Sequence, residues 1–189
     1  AVIVINGKRG IDNGTLTAWK LCDKYKLPRI IFVTAMDDDN ASFRQTVEDM
    51  QALYGKKIAP FHIPVRASEK FIGYVNIISQ TAHQWNEKGE VIPMDMPEYS
   101  RPNLEKLRET LLEAVAETSE EFMDRYFAGE EFSENEIRQA LRVNVIDGSI
   151  VPISMASGIL AQGIYTLLDD IVKYLPSPEG REIAGINMK

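Results

Sequence analysis

The sequence predicts an α/β fold: a doubly wound sheet with an inserted α+β subdomain. Near both ends of the chain, short apolar runs alternate with helical patterns, which is the rhythm of a parallel sheet covered by helices. In the middle, this rhythm changes to strand-like runs separated by polar turns and then to acidic helical stretches. We therefore predict an α/β part at residues 1–61 and 149–178, an insertion at 62–148, and a linker at 179–189.

The first α/β part is predicted to run strand, helix, strand, helix. Residues 2–5 and 29–34 are apolar and rich in β-branched side chains, the composition of strands that are covered on both faces of a parallel sheet. The helical pattern between them is broken at Leu27-Pro28. The second helical pattern reaches Tyr54, and Gly55 stands where a helix commonly ends.

The insertion is predicted to begin with an antiparallel ribbon and to continue as helices. Its strand-like runs occupy residues 61–65, 70–78 and 91–92. A long acidic helix is expected from about residue 103 to 128, with leucine and valine side chains along one face. Ser133 and Glu136 form a capping-box pattern, which predicts the start of another helix.

The α/β rhythm resumes after the insertion. Residues 150–155 are predicted to form a strand, and a closing helix should end before Pro176. The apolar side chains of that helix are Ile164, Leu167, Leu168, Ile171, Val172 and Leu175.

Composition narrows the class of protein. With 28 acidic and 21 basic residues the formal net charge is −7, whereas a free-standing nucleic-acid binder carries a basic patch, so we expect no sequence-specific nucleic-acid partner. No apolar run approaches the length of a membrane span, so we expect no membrane partner. Cys22 is the single cysteine, which excludes an internal disulfide and fits a reducing compartment such as the cytoplasm.

Several patterns that suggest catalytic or metal sites are incomplete. The Gly-Lys pair at residues 7–8 follows a strand, but Val2 and Arg9 stand where a phosphate loop needs a glycine and a serine or threonine. We interpret this stretch as a glycine-rich turn. His62 and His83 lack further ligands at a zinc-like spacing, so both are interpreted as ordinary strand or surface histidines.

An acidic run, Asp37-Asp38-Asp39-Asn40, follows the second strand. The run lacks the spacing and the glycine of a calcium loop, so we interpret it as a solvated loop and helix N-cap. Asp37 has a functional alternative, because open α/β sheets bind ligands at the carboxyl edge of their strands. A carboxylate there can accept two hydrogen bonds from the ring N–H and exocyclic amine of guanine, a pairing that adenine does not offer.

Three segments, taken in order along the chain, identify a family resemblance. Residues 27–37, Leu-Pro-Arg-Ile-Ile-Phe-Val-Thr-Ala-Met-Asp, resemble the strand of elongation factor G that ends in the guanine motif Asn-Lys-Met-Asp. Residues 118–133 and 136–142 are similar to the helical part of that family's inserted subdomain, and residues 170–178 to the end of its G domain. The resemblance implies a partial P-loop-GTPase-type sheet from an elongation factor G-type translational GTPase.

The resemblance also implies which residues bind the nucleotide. Asp37 would bind the guanine edge, and Ser157-Gly158 stands where the family has Ser-Ala, whose backbone N–H contacts the guanine carbonyl. Thr34 and Ala35 stand where the family has Asn and Lys, which suggests a divergent paralogue. The implied guanine-site residues are Thr34, Ala35, Met36, Asp37, Ser157 and Gly158.

A further implication is that the chain is the C-terminal half of a G domain with its inserted subdomain. Neither Gly-x-x-x-x-Gly-Lys-Ser/Thr nor Asp-x-x-Gly occurs, and the chain opens inside a strand without the basic leader of a signal peptide. The intact protein is expected to hydrolyse GTP in ribosomal translocation, using GTP or GDP with magnesium. The fragment itself is expected to be inactive and to hold no cofactor.

The implied partners are the ribosome and its stalk protein, which contacts the inserted subdomain of elongation factor G. Acidic residues recur every four positions in the predicted long helix, and in one continuous helix they would form a single acidic stripe. The stripe comprises Glu105, Glu109, Glu113, Glu117 and Glu121. A solvated helix face is the alternative interpretation. The alternative functions are a non-catalytic interaction module that binds the stalk and a ribosomal protection protein of the tetracycline-resistance type.

Overall fold

A parallel sheet and an antiparallel sheet organise the chain. The computed structural model describes residues 1–68 and 70–177, so the predicted linker at 179–189 lies outside the described residues. The parallel sheet has the strand order β1-β2-β8-β3. These strands are β1 (Val2–Asn6), β2 (Ile30–Thr34), β3 (Ile58–Pro60) and β8 (Val151–Met155). The predicted α/β fold class is therefore confirmed.

The antiparallel sheet is a meander within the insertion, with its strands paired in chain order. Its strands are β4 (His62–Ala67), β5 (Lys70–Asn76), β6 (Thr81–Trp85) and β7 (Val91–Met94). The sequence interpretation missed β6, whose residues are half polar, and β3, which has three residues. Both are strands because neighbouring strands supply hydrogen-bond partners, which local composition does not reveal.

Six α-helices accompany the sheets in the described part of the chain. They are α1 (Asn13–Lys24), α2 (Phe43–Tyr54), α3 (Arg101–Ala116), α4 (Glu120–Phe127), α5 (Glu134–Asp147) and α6 (Ile164–Tyr174). The predicted capping box of Ser133 and Glu136 begins α5, and Gly55, with φ of 78°, ends α2. No described helix has the length and apolar character needed to cross a membrane.

The expectation that residues 2–5 are covered on both faces is wrong. Ile3 and Ile5 are buried, whereas Val2 and Val4 on the other face are 36% and 58% exposed. The reason is position: β1 is an edge strand that pairs with β2 alone, and no described element packs over that face of it. In contrast, β2 lies between two strands and is buried along most of its length.

The predicted continuous helix from residue 103 to 128 is also wrong, because it is two helices. The hydroxyl of Thr118 donates to the carbonyl of Val115 at 2.6 Å, and Glu117 is the C-cap of α3. The Ser119 hydroxyl then accepts a hydrogen bond from the N–H of Phe122 and begins α4. These local hydrogen bonds compete with the helix and break it.

Two hydrophobic cores hold the chain together, and each draws side chains from both the α/β part and the insertion. The first combines Trp19 and Met50 with Phe71 and Trp85 of the antiparallel sheet. The second combines many residues of the insertion with others from the α/β part, including Phe61, Ile150 and Tyr174. The division of the chain at residues 61 and 148 therefore stays a prediction, since neither core ends at those positions.

Phe61 joins the two sheets through its backbone. Its N–H donates to the carbonyl of Ile153 in β8 at 3.3 Å, and its carbonyl accepts from the N–H of Ile77, just after β5, at 3.0 Å. The side chain of Phe61 is fully buried and meets the Tyr174 ring edge-on. This junction sets the position of the antiparallel sheet against the parallel sheet.

The closing helix α6 packs differently from its expected apolar pattern. Asp170 and Tyr174 are its buried residues, while Leu168 and Val172 are 51% and 77% exposed. Asp170 faces β8, where its carboxylate accepts a hydrogen bond from the Ser154 hydroxyl at 2.8 Å. A polar contact therefore orients α6 and leaves part of its apolar surface uncovered by the described residues.

Candidate functional site

The loops that follow β2 and β8 meet at one edge of the parallel sheet. The two strands are adjacent and parallel, with Val33 aligned to Met155, so their carboxyl ends lie side by side. The N–H of Ala156 donates to the Val33 carbonyl at 2.8 Å, and the N–H of Met36 donates to the Ala156 carbonyl at 3.1 Å. Open α/β sheets bind ligands at this kind of edge.

Asp37 and Ser157 contact each other across this edge, although 120 residues separate them in sequence. The Ser157 hydroxyl donates to Oδ1 of Asp37 at 2.5 Å and accepts from the N–H of Leu160 at 3.1 Å. Ser157 is fully buried, and Asp37 is half-buried. Within the described residues Oδ2 of Asp37 accepts no hydrogen bond, so one carboxylate oxygen is anchored and the other is available to a ligand.

In the loop after β8, the backbone N–H of Ser157 is already hydrogen-bonded, whereas the backbone N–H of Gly158 is available. Ser157 and Gln162 exchange two backbone hydrogen bonds of 3.0 Å, which close the loop. The N–H of Gly158 has no acceptor in the part of the chain that the structure describes. Gly158 is also close to β2: a Cβ atom added to it would lie 3.8 Å from Oγ1 of Thr34.

The structure thus brings five of the six predicted guanine-site residues to one edge, and it places the side chain of the sixth elsewhere. Met36 is 1% exposed, and its side chain belongs to the first core. Ala35 is half-buried and has a left-handed backbone, with φ of 61°. Such a conformation is uncommon for a residue other than glycine and is frequent at ligand-binding loops. The methyl group of Ala35 provides no stem that could cover a base.

The acidic run beyond Asp37 is a surface loop, as predicted, but it does not cap the next helix. Ser42 is the N-cap of α2, and its hydroxyl accepts from the N–H of Gln45. The Lys8 ammonium donates to Asp38 at 2.9 Å, and this hydrogen bond lowers the pKa of the Asp38 carboxyl from its usual value. Among the described residues, no group of three or more His, Cys, Asp or Glu side chains could hold a metal ion.

The turn after β1 has the structure that its glycines and asparagine predict. Oδ1 of Asn6 accepts hydrogen bonds from the N–H groups of Lys8 and Arg9, at 3.0 and 3.1 Å. This is the local side-chain hydrogen bonding typical of asparagine in turns. The Gly7 N–H is directed away from solvent and donates to the Thr34 carbonyl at 2.8 Å. The stretch is a turn and not a phosphate loop.

The five glutamates of the predicted acidic stripe are all exposed, but the break between α3 and α4 divides them. Glu105, Glu109 and Glu113 lie on α3, Glu117 is its C-cap, and Glu121 lies on α4. They therefore form a three-residue stripe followed by two displaced carboxylates.

A buried polar cluster joins β4, β8 and α6, and the sequence interpretation missed it. His62 is 2% exposed; its Nδ1 lies 3.4 Å from the Ser154 hydroxyl and 3.7 Å from Oδ2 of Asp170. Burial lowers the pKa of His62 to about 3 and raises the pKa of Asp170 to about 7. Because both shifts disfavour charge, His62 and Asp170 are both neutral at a pH between these two pKa values and do not form an ion pair there.

The family model described as the elongation factor Tu GTP binding domain matches residues 1–177. The chain therefore belongs to this family of translational GTPases and is a GTP-binding-type domain.

A crystal structure of a protein from Thermus thermophilus is similar to the chain, with a TM-score of 0.83 and 29% sequence identity. The match covers 92% of this chain and 26% of the Thermus protein, so the chain spans about a quarter of the length of that relative.

Proposed function

We propose that the chain is the guanine-reading part of an elongation factor G-type translational GTPase. The contact between Asp37 and Ser157 supports this most directly, because it holds a half-buried carboxylate at the carboxyl edge of the parallel sheet. The Asp37 carboxylate accepts hydrogen bonds from the ring N–H and exocyclic amine of guanine. The available N–H of Gly158 donates to the guanine carbonyl. Adenine presents the wrong groups for both contacts.

GTP hydrolysis belongs to the intact protein in this proposal. The sequence has neither a phosphate loop nor an Asp-x-x-Gly motif, and the chain spans 26% of the Thermus relative. The exposed face of β1 is consistent with a further element of a longer protein packing over it. Phosphate contacts and magnesium would be supplied by those further parts, and the role of the intact protein would be ribosomal translocation.

The test is a titration of the ¹⁵N-labelled chain with guanosine and with adenosine, followed by NMR. We expect guanosine to shift the amide signals of Ala35, Asp37 and Gly158, with a dissociation constant of roughly millimolar order because the base alone makes few contacts. Adenosine is the matched control and should leave these signals unchanged. Equal responses to both nucleosides, or none to guanosine, would contradict the proposal.

The second candidate function is a non-catalytic interaction module that binds the ribosomal stalk protein. The observation that favours it is the pair of Thr34 and Ala35, which replaces the Asn and Lys of the family motif and removes the stem that covers the base. The exposed glutamates of α3 provide an acidic surface for a basic partner. A guanosine titration without response, combined with salt-dependent stalk binding, would favour this candidate.

A ribosomal protection protein of the tetracycline-resistance type is distinguished by assaying the intact protein on drug-stalled ribosomes.

A further inference from the structure

Arg66 lies at an irregularity of the antiparallel sheet. The register of β4 against β5 shifts between Val65 and Arg66: Val65 is aligned to Gly73 and Arg66 to Phe71, so the extra residue, Ile72, lies on β5. Such an extra residue disrupts the ladder locally and increases the twist of the strand pair. The Tyr99 hydroxyl, just before α3, donates to the carbonyl of Arg66 at 3.2 Å.

The guanidinium of Arg66 reaches out of the insertion to the loop that contains Asp37. Its Nη2 donates to the carbonyl of Met36 at 3.0 Å and to the carbonyl of Ala41 at 3.2 Å. These two carbonyls lie on either side of residues 37–40. A single side-chain nitrogen therefore bridges the start and the end of the loop and fixes their separation.

The other hydrogen bonds of this loop are local, or come from Lys8 in the turn after β1 and from Ala156 and Ser157 in the loop after β8. The N–H of Asp38 donates to the Ala35 carbonyl and the N–H of Ala41 to the Asp38 carbonyl, at 3.1 and 3.0 Å, while Met36 is held by Ala156. None of these hydrogen bonds joins residue 36 directly to residue 41, and segments with few such restraints open readily. The guanidinium is suited to join these two positions, because it offers several donors in a rigid plane.

We propose that Arg66 is a positioning residue for Asp37: by bridging the carbonyls of Met36 and Ala41 it keeps the Asp37 carboxylate against Ser157 and turned toward the base. In this proposal Arg66 acts through the loop and not through a contact with the base. The choice of guanine as the ligand in this proposal depends on the proposed guanine site. The positioning of the loop by Arg66 does not depend on it. The consequence is that the insertion helps to build the base-reading edge.

The chain offers a matched control for the experiment. Arg108 also uses one nitrogen to bridge two carbonyls, those of Ile77 and Ile78 at 3.0 and 2.6 Å, but within the insertion. Arg66→Met and Arg108→Met therefore each remove a side-chain nitrogen that bridges two carbonyls, at two different places. Arg66→Lys keeps the positive charge and a hydrogen-bond donor, so this variant tests whether a lysine can replace the arginine at this position.

Two readouts are compared across these variants: amide hydrogen exchange by NMR and the guanosine titration. We expect Arg66→Met to accelerate exchange at Met36 and Ala41 on the order of tenfold, with unchanged exchange in β5 and β6 as evidence of an intact fold. Guanosine binding should weaken in parallel. Arg66→Lys should recover part of both effects, and Arg108→Met should leave the loop unchanged.

The outcomes separate this inference from the proposed function. Unchanged exchange at Met36 and Ala41 in Arg66→Met overturns the inference, as does an equal acceleration in Arg108→Met. If exchange is accelerated by Arg66→Met alone while the wild-type chain shows no response to guanosine, the positioning role stands and the guanine proposal fails.

Discussion

At the scale of single residues, the proposed base-reading edge depends on how the two oxygens of the Asp37 carboxylate are used. Oδ1 of Asp37 is occupied by the Ser157 hydroxyl, and Oδ2 is available. The short contact of 2.5 Å restricts rotation of the carboxylate. The edge is thus preorganised for a ligand with adjacent donors, which lowers the entropic cost of binding.

Replacing the acceptor at residue 37 should change the base that is preferred. We expect Asp37→Asn to weaken guanosine binding and to favour xanthosine, because the Asn amide donates to the second carbonyl of xanthine. The measurement is the same NMR titration with guanosine and xanthosine, repeated with the corresponding nucleotides when the intact protein is used. Asp37→Ala is the control and should bind neither base well. A wild-type protein without preference for guanine over adenine would show that Thr34 and Ala35 have disabled the site.

The buried pair of His62 and Asp170 makes stability depend on pH in two opposing ways. The pKa of Asp170 is about 7 in the folded state, against a usual value of 3.8. Between these two pH values Asp170 is protonated in the folded chain but not in the unfolded chain, so the stability of the fold decreases as pH rises. The pKa of His62 is about 3 in the folded state, against a usual value of 6.5. Between these two pH values His62 is protonated in the unfolded chain but not in the folded chain, so the stability of the fold increases as pH rises. Between pH 3.8 and 6.5 the two contributions cancel.

Removing either member should expose the contribution of the other. Relative to wild type, His62→Gln should lose stability as pH rises from 3.8 to 6.5, and Asp170→Asn should gain it. The slope has an upper limit of about 1.4 kcal/mol per pH unit, the value for one proton. The slope is measured by urea unfolding of each variant and of the wild-type chain at several pH values in this range. Slopes of the same sign in both variants would contradict the neutral-pair description.

At the scale of elements, the break between α3 and α4 determines the shape of the acidic surface. Between residues 98 and 136 there are twelve acidic and four basic residues. Part of this charge is internally paired: Arg125 donates to Glu136 at 2.7 Å, which joins α4 to α5 and lowers the pKa of Glu136 to about 2. The α3 glutamates, Glu105, Glu109 and Glu113, form no ion pair with a described residue.

Reversing charge on this surface tests whether it binds a partner. We expect Glu109→Lys, Glu113→Lys and Glu117→Lys together to weaken binding to the isolated stalk domain, strongly at low salt and less at moderate salt, because screening shortens the range of the attraction. The control carries the same charge change at Glu87, Glu90 and Asp95, which are exposed elsewhere in the insertion. Unchanged affinity at both salt concentrations would show that the glutamates form only a solvated helix face.

At the scale of the whole molecule, apolar side chains remain exposed on two elements of the α/β part. Val2 and Val4 of β1 are exposed, as are Leu168 and Val172 of α6. β1 and α6 are otherwise regular elements with well-buried opposite faces. Exposed apolar surface of this kind marks a face that contacts another part of the protein or a partner.

The whole chain should bind nucleotides far more weakly than an intact G domain. We expect calorimetry with GTP or GDP and magnesium to detect no tight binding and no hydrolysis, because phosphate contacts dominate such sites and the phosphate-loop pattern is absent from the sequence. Dissociation constants in the micromolar range or below would contradict the assignment of phosphate binding to other parts of the intact protein. An adenine nucleotide serves as the control for nonspecific binding.

The sequence by itself determined the alternation of strands and helices in the α/β part, several helix ends and the location of the proposed base-reading residue. The capping box of Ser133 with Glu136 and the stop at Gly55 were predictable, because each depends on hydrogen bonds between residues at most four positions apart. Asp37 was predictable as a candidate, because its place after a buried strand follows from local composition.

Only the tertiary structure decided which residues meet and which faces are covered. The contacts of Asp37 with Ser157, of Arg66 with Met36 and Ala41, and of His62 with Asp170 join residues 25 to 120 positions apart. The same is true of exposure: Val4 and Phe32 are both apolar strand residues, but one is 58% exposed and the other is 5% exposed. The physical reason is that local sequence sets backbone conformation, whereas burial and long-range hydrogen bonds depend on which elements pack together.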